Sequence, residues 1–125
     1  MSKKVNTLTL RRHGEFTMKM TGDSHCGLDL NQKIKYNVAV TCKSKGSLDG
    51  RGFLFEQLTV DQLFQDMANL DAFSDYSCEQ LSMEAAEDLL DRIRDENPGC
   101  KVKTIEVTLS AKPYVASMTF LLHVK

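Results

Sequence analysis

The sequence has no excess of charge of either sign. Its 125 residues include 16 Lys and Arg and 17 Asp and Glu, which gives a formal net charge of −1. Proteins that bind nucleic acid generally carry a basic surplus, because the phosphate backbone must be neutralised. We therefore expect no nucleic-acid partner.

Long apolar runs are also missing. No stretch approaches the eighteen or so consecutive apolar residues that would predict a membrane-spanning helix. The first residues, Met1 to Asn6, are basic and polar and do not lead into the apolar segment of a secretion signal. We expect a cytoplasmic protein that does not contact a membrane.

Closely spaced metal ligands are absent as well. The four cysteines are widely separated and form no C-x-x-C pair, and the three histidines lie in three different segments: Cys26, Cys42, Cys78 and Cys100; His13, His25 and His123. Zinc knuckles and redox dithiols need closely spaced pairs. We expect reduced cysteines that mostly serve packing, and neither a metal nor another cofactor.

Adjacent His25 and Cys26 lie in a loop rich in turn-forming residues. A histidine beside a cysteine is one way to build an activated nucleophile. Neighbouring side chains in a loop rarely face each other, however, and no oxyanion site accompanies the pair. We favour an ordinary loop here.

The chain shows no repeat, low-complexity tract or interdomain linker. A chain of this length removes roughly two-thirds of its unfolded surface from water when it folds as one domain. We expect a single domain over residues 1–125.

The N-terminal third predicts two strands. Residues 5–20 read as extended, with a bulge or bend at Gly14, and apolar residues alternate with polar ones from Ile34 to Cys42. Three lysines, Lys33, Lys35 and Lys43, share one face of the second strand. A solvated or lumen-facing stripe is the first interpretation of them, and anion binding is the second.

Two amphipathic helices follow. The first should begin with Thr59 as N-cap and end near Asn69, and Ser77 should cap a longer second helix that ends at Pro98. Each helix carries an apolar stripe: Val60, Leu63, Phe64, Met67 and Leu70; Cys78, Leu81, Ala85, Leu89 and Ile93.

A hairpin closes the chain, with strands over 105–111 and 118–124 and a break at Lys112-Pro113-Tyr114. The order ββααββ predicts an α+β fold: a four-stranded antiparallel sheet with both helices on its apolar face. Four residues should pack under the helices and three should line the opposite face: Ile34, Val38, Met118 and Phe120; Lys35, Asn37 and Thr119.

Such a sheet has two unpaired edges. Edge strands expose N–H and C=O groups that a closed ring of identical subunits can pair. We expect a homo-oligomer in which the polar sheet face lines a central barrel.

The element order and three local strings resemble the tunnelling fold (T-fold), and dihydroneopterin aldolase in particular. Residues 32–38, QKIKYNV, are similar to the second strand of the aldolases; residues 77–81, SCEQL, to their Glu-bearing helix start; and Lys112-Pro113 to their lysine-proline pair after the third strand.

The resemblance implies a ligand site between subunits. Glu79 would accept hydrogen bonds from the N–H groups of a pterin or purine ring, and Lys112 would move protons in a metal-independent retro-aldol cleavage. Simpler interpretations stand beside these roles. An acidic residue in the first turn of a helix is stabilising without a ligand, and a lysine beside proline is common in exposed turns.

Two alternatives remain open. The string from Gly52 to Glu56 is also similar to 6-pyruvoyltetrahydropterin synthase, but the histidines that bind zinc in that family have no counterpart at Gln32-Lys33-Ile34. No tyrosine matches the catalytic tyrosine of the aldolases near Phe55. A catalytically inactive T-fold oligomer, acting as a scaffold or sequestering a ligand, is therefore the other hypothesis.

Overall fold

The computed structural model describes residues 6–20 and 30–125, so the His25-Cys26 pair lies outside the described residues. The chain runs through strands β1 (Thr7–Met20) and β2 (Leu30–Lys43), helix α1 (Leu58–Ala68), a short 3₁₀ helix (Asp71–Phe73), helix α2 (Cys78–Glu96), and strands β3 (Val102–Ala111) and β4 (Met118–His123). The predicted ββααββ order is confirmed.

The four strands form one antiparallel sheet in the order β1-β2-β3-β4. β1 and β2 pair without interruption from Thr7 opposite Lys43 to Met20 opposite Leu30. Of the predicted bulge or bend at Gly14, this pairing excludes the bulge. Glycine serves a different purpose there, because a Cβ at this position would lie 2.6 Å from Cζ of Tyr36, whose ring crosses Gly14.

The core lies between the sheet and the two helices. Ile34 and Val38 are fully buried, whereas Lys35, Asn37 and Thr119 are exposed, as predicted. Met118 and Phe120 are only partly buried, since β4 is an edge strand. The largest fully buried side chains come from every layer: Met18, Ile34, Leu63, Phe64, Leu81, Leu89, Ile93, Ile105 and Leu109.

Helix α1 begins differently from the prediction. Gln57 is its N-cap and supplies no side-chain hydrogen bond. The hydroxyl of Thr59, the predicted cap, donates instead to Oε1 of Glu96 at 2.9 Å. Leu70 was assigned to the apolar stripe but lies beyond the end of the helix and is exposed. Tertiary contact with the end of α2 thus replaces a local cap.

Helix α2 begins as predicted. The Ser77 hydroxyl oxygen accepts from the backbone N–H of Gln80 at 3.1 Å, and Oε1 of Gln80 accepts from the backbone N–H of Ser77 at 2.9 Å. This reciprocal capping box satisfies donors that the helix itself cannot pair. At the other end, the Asn97 side-chain amide donates to the carbonyl oxygens of Ser47 and Leu54.

The described cysteines are free thiols. Cys42 and Cys100 are buried with their sulfur atoms 3.5 Å apart. Burial raises the pKa of Cys42 to about 12, which makes the thiolate scarce and the pair poorly reactive. No helix among the described residues combines the length and the apolar character that crossing a membrane requires.

Candidate functional site

A groove opens where the start of α2 faces the β3–β4 hairpin. It encloses about 220 Å³, and its lining includes Glu79, Ala111, Ser117 and Met118. Glu79 is exposed and is the one carboxylate among the lining residues. The groove therefore presents a single charged acceptor among neutral side chains, and a carboxylate can accept charge-assisted hydrogen bonds from the N–H groups of a ligand.

The position of Glu79 follows from the start of the helix. The capping box at Ser77 fixes the first turn, and Glu79 is the second residue of α2. Its negative charge lies at the positive end of the helix dipole, an interaction that stabilises the helix. The start of the helix thus fixes where this carboxylate lies.

The turn that carries Lys112 is tied to the neighbouring strand. The Lys112 backbone N–H donates to the carbonyl of Lys33 at 3.0 Å, and its carbonyl accepts from Nε2 of Gln32 at 2.9 Å. Lys112 is exposed and directly follows Ala111, which lines the groove with Glu79. The fold brings both predicted residues to one end of the molecule, but no described hydrogen bond or ion pair joins their side chains.

Tyr114, in the same turn, was missed by the sequence analysis. Its backbone has φ of 66°, an uncommon conformation for a residue with a side chain. Its hydroxyl is buried and has no hydrogen-bond partner among the described residues. Nζ of Lys35 lies 4.3 Å from the centre of its ring. A strained residue with an unpaired buried donor is typical of functional sites.

A second cavity adjoins the groove on the polar face of the sheet. It encloses about 530 Å³, and Ser117 lines both cavities. Its polar lining residues include Lys35, Glu15 and Asn37. Glu15 also forms an ion pair with Lys33 at 3.5 Å. The groove at Glu79 therefore opens towards a larger polar surface.

On the helix side of the sheet, Asp61 joins two strands in a cluster that the sequence analysis also missed. Nε and Nη2 of Arg12 donate to its carboxylate at 3.1 and 2.5 Å, and the Tyr36 hydroxyl donates to Oδ1. The Tyr36 ring stacks on Phe64 with centroids 4.3 Å apart. In the sequence, Asp61 is one of several polar residues on the outer face of α1, and nothing near it indicates that Arg12 is its partner.

The ionisation of this cluster follows from its contacts. The Arg12 hydrogen bond lowers the pKa of Asp61, although burial opposes it. Burial, followed by the hydrogen bond to Asp61, raises the pKa of the Tyr36 hydroxyl. Both groups are therefore held in their usual states, which suits a structural cluster better than an acid–base pair.

Residues 6–20 and 30–125 contain no group of three or more His, Cys, Asp or Glu side chains arranged to hold a metal ion. His13 lies on β1 and His123 on β4, at opposite edges of the sheet, and both are exposed. The described residues thus offer no counterpart to a three-histidine zinc site.

Comparison with known proteins identifies the fold. No protein-family model matches the sequence, and the search of curated proteins finds no match. Among the solved structures that match is a dihydroneopterin aldolase from Burkholderia thailandensis bound to guanine. Its TM-score is 0.64 at 15% sequence identity, and the match covers 97% of this chain and 93% of the aldolase chain. The chain has the T-fold that its sequence resembles.

Proposed function

We propose that the protein binds a pterin or purine ring in the groove at the start of α2, with Glu79 as the acceptor for ring N–H groups. The observation that carries this proposal is the Glu79 groove in a chain that shares its fold with an aldolase bound to guanine. A carboxylate that faces two neighbouring N–H donors makes charge-assisted hydrogen bonds, which are stronger than neutral ones.

The finer proposal is a lyase that performs retro-aldol cleavage. A base removes the proton of the substrate hydroxyl, the adjacent C–C bond breaks to release an aldehyde, and the electron pair left on carbon is protonated. Lys112 would carry a proton in these steps, because the turn that holds it adjoins the groove at Ala111. The unpaired hydroxyl of Tyr114 in the same turn supports a role for the turn in ligand contact.

We expect the proposed ligand site to lie between subunits of a homo-oligomer. β1 and β4 are the two edges of the sheet, and exposed apolar side chains lie on both edges and on the neighbouring turn: Leu8, Leu121 and Val115. Edge pairing between copies would cover these side chains and pair the free backbone groups. Light scattering should give a mass several times that of one 14.1 kDa chain; a monomer at micromolar concentration would contradict this.

The binding proposal is tested by thermal shift with guanine and neopterin. Ligand at a hundred times its dissociation constant should stabilise the protein by about 2.7 kcal/mol. Glu79→Ala should abolish this shift, whereas Glu87→Ala, an exposed substitution further along α2, should retain it. A shift that survives Glu79→Ala, or no shift with either ring, would exclude the proposal.

The competing function is a catalytically inactive T-fold protein. The segment before α1 offers Phe53 and Phe55, and Phe55 is buried, so no tyrosine hydroxyl is available there. Turnover of dihydroneopterin separates the two functions. Activity that Lys112→Ala abolishes while ring binding persists supports the lyase. Binding without turnover supports the inactive protein.

A further inference from the structure

A third cavity, with a different chemistry, lies at the other end of the sheet, where β2 ends and β3 begins. It encloses about 630 Å³ and is lined by four lysines together with Asn6, Ser44 and Gly46: Lys43, Lys45, Lys101 and Lys103. No acidic residue lines it. In a chain of net charge −1, such a concentration of positive charge is local rather than general.

None of the four ammonium groups is neutralised within the part of the chain that the structure describes. The ion pairs found there involve other cations: Arg12, Lys33, Arg51 and Arg92. The three strand lysines predicted to form one stripe thus differ in their surroundings. Lys33 pairs with Glu15, Lys35 lies against the Tyr114 ring, and Lys43 belongs to the basic cavity.

The backbone around the cavity is held in place by hydrogen bonds. The Lys43 N–H donates to the carbonyl of Lys101 at 2.9 Å, and the Lys101 N–H donates to Oγ of Ser47 at 3.0 Å. The Val124 N–H donates to the carbonyl of Lys103 at 2.8 Å. Three segments are therefore fixed so that their lysines share one space.

Two local irregularities bring the charges together. The β2–β3 register changes from Thr41 opposite Thr104 to Cys42 opposite Val102, which leaves Lys103 as the extra residue of a bulge. Bulges commonly redirect side chains beside functional sites. Gly46 has φ of 81°, and a Cβ there would lie 3.0 Å from Nζ of Lys101. Glycine thus allows the ammonium group to lie against the turn.

We propose that this basic cavity binds the phosphate groups of a small polyanion, such as inorganic polyphosphate or a nucleoside triphosphate. Unpaired ammonium groups in one cavity repel each other, and a multiply charged anion converts that repulsion into attraction. The cavity has the size of a small-molecule site. The cavity shares no lining residue with the Glu79 groove. The proposed anion binding therefore does not depend on the proposed ring binding.

Titration calorimetry of the whole protein at an ionic strength of about 0.15 M, where exposed charges more than about 8 Å apart are largely screened, tests the proposal. Affinity should fall in the order tripolyphosphate, pyrophosphate, phosphate, because fewer charges then reach the lysines. The double variant K101E/K103E should weaken tripolyphosphate binding at least about tenfold. The control R11E/R94E makes the same change in net charge on exposed residues outside the cavity, and it should stay within about twofold of wild type.

Lys43→Gln provides a milder variant in case the double charge reversal does not fold, and it should weaken binding by a few-fold. ATP distinguishes the two sources of phosphate. Equal affinity for ATP and tripolyphosphate indicates recognition of the phosphate chain alone, and tighter ATP binding indicates a nucleoside contact as well. Absence of heat at millimolar anion, equal weakening by the control, or an RNA oligonucleotide that tripolyphosphate cannot displace would overturn the proposal.

Discussion

Two tyrosines of this protein differ in whether their hydroxyls have a hydrogen-bond partner. The Tyr36 hydroxyl donates to Asp61, which also pairs with Arg12, and its ring stacks on Phe64. The Tyr114 hydroxyl is buried without a partner among the described residues, in a turn with positive φ. Tyr36 lies in β2 and Tyr114 lies in the turn between β3 and β4, and only the Tyr36 hydroxyl has a partner among the described residues.

The difference separates a region whose buried polar groups are paired within the chain from one with an unpaired buried hydroxyl. A buried polar group that keeps its hydrogen bond contributes modestly to stability, whereas one without a partner costs the loss of its hydration. The Tyr36 cluster joins α1 to both β1 and β2 and leaves no buried side-chain polar atom unpaired. The Tyr114 turn adjoins the Glu79 groove and an edge strand, where a ligand or a second subunit would supply the missing acceptor.

Removing the central carboxylate should have the largest effect on this contrast. Asp61→Ala deprives Arg12 and the Tyr36 hydroxyl of their acceptor, and we expect a loss of about 3 kcal/mol in the free energy of unfolding. Urea denaturation measures it. Asp91→Ala, an exposed substitution on α2, should change stability by less than about 0.5 kcal/mol. Equal effects of the two variants would show that the cluster is not a stabilising element.

Adding a side chain at Gly14, where the Tyr36 ring lies against the backbone, should have the next largest effect. Gly14→Ala would bring a methyl group within 2.6 Å of Cζ of Tyr36, so the ring must move away from Asp61. We expect a loss of about 2 kcal/mol. Gly50→Ala is the matched control, because a Cβ there meets nothing within 4 Å. If the urea-denaturation midpoint of Gly14→Ala equals that of Gly50→Ala, the Tyr36 ring does not pack tightly over Gly14.

Deleting each hydroxyl in turn gives the smallest effects and the most direct comparison. Tyr36→Phe should lower the free energy of unfolding by about 1 kcal/mol, because a hydrogen bond to a carboxylate is lost. Tyr114→Phe should leave it unchanged or raise it slightly, because an unpaired group is removed. The second variant should nevertheless weaken binding of guanine or neopterin. Similar destabilisation by both would mean that Tyr114 has a partner in the folded subunit.

Much of the fold could be predicted because its signals are local. Alternation at Ile34 to Cys42 marks a strand, and Ser77 with Gln80 marks a helix start, since both patterns act over a few residues. The same locality explains the errors. Nothing near Thr59 indicates that Glu96, thirty-seven residues away, accepts its hydroxyl, and nothing near Gly14 indicates that the Tyr36 ring crosses it.

The residues of the candidate site also divide into those that local sequence patterns identified and those that they did not. Glu79 and Lys112 were identified through short strings similar to those of a known fold, and their roles remain predictions. The Asp61 cluster and Tyr114 could not be found from spacing, because their partners lie on other elements. The cavity with Lys43, Lys101 and Lys103 is likewise a product of strand pairing, and the sequence indicated only Lys43.

The sequence by itself therefore determined the order ββααββ, the apolar faces and the start of α2, because side-chain periodicity and helix capping are properties of neighbouring residues. Only the tertiary structure decided which charges meet. Pairing of β1 with β2 and packing of α1 on the sheet bring Arg12, Tyr36 and Asp61 together, and a bulge in β3 gathers the lysines at the far end. Charge interactions depend on distance in space, and that distance is fixed only when the elements pack.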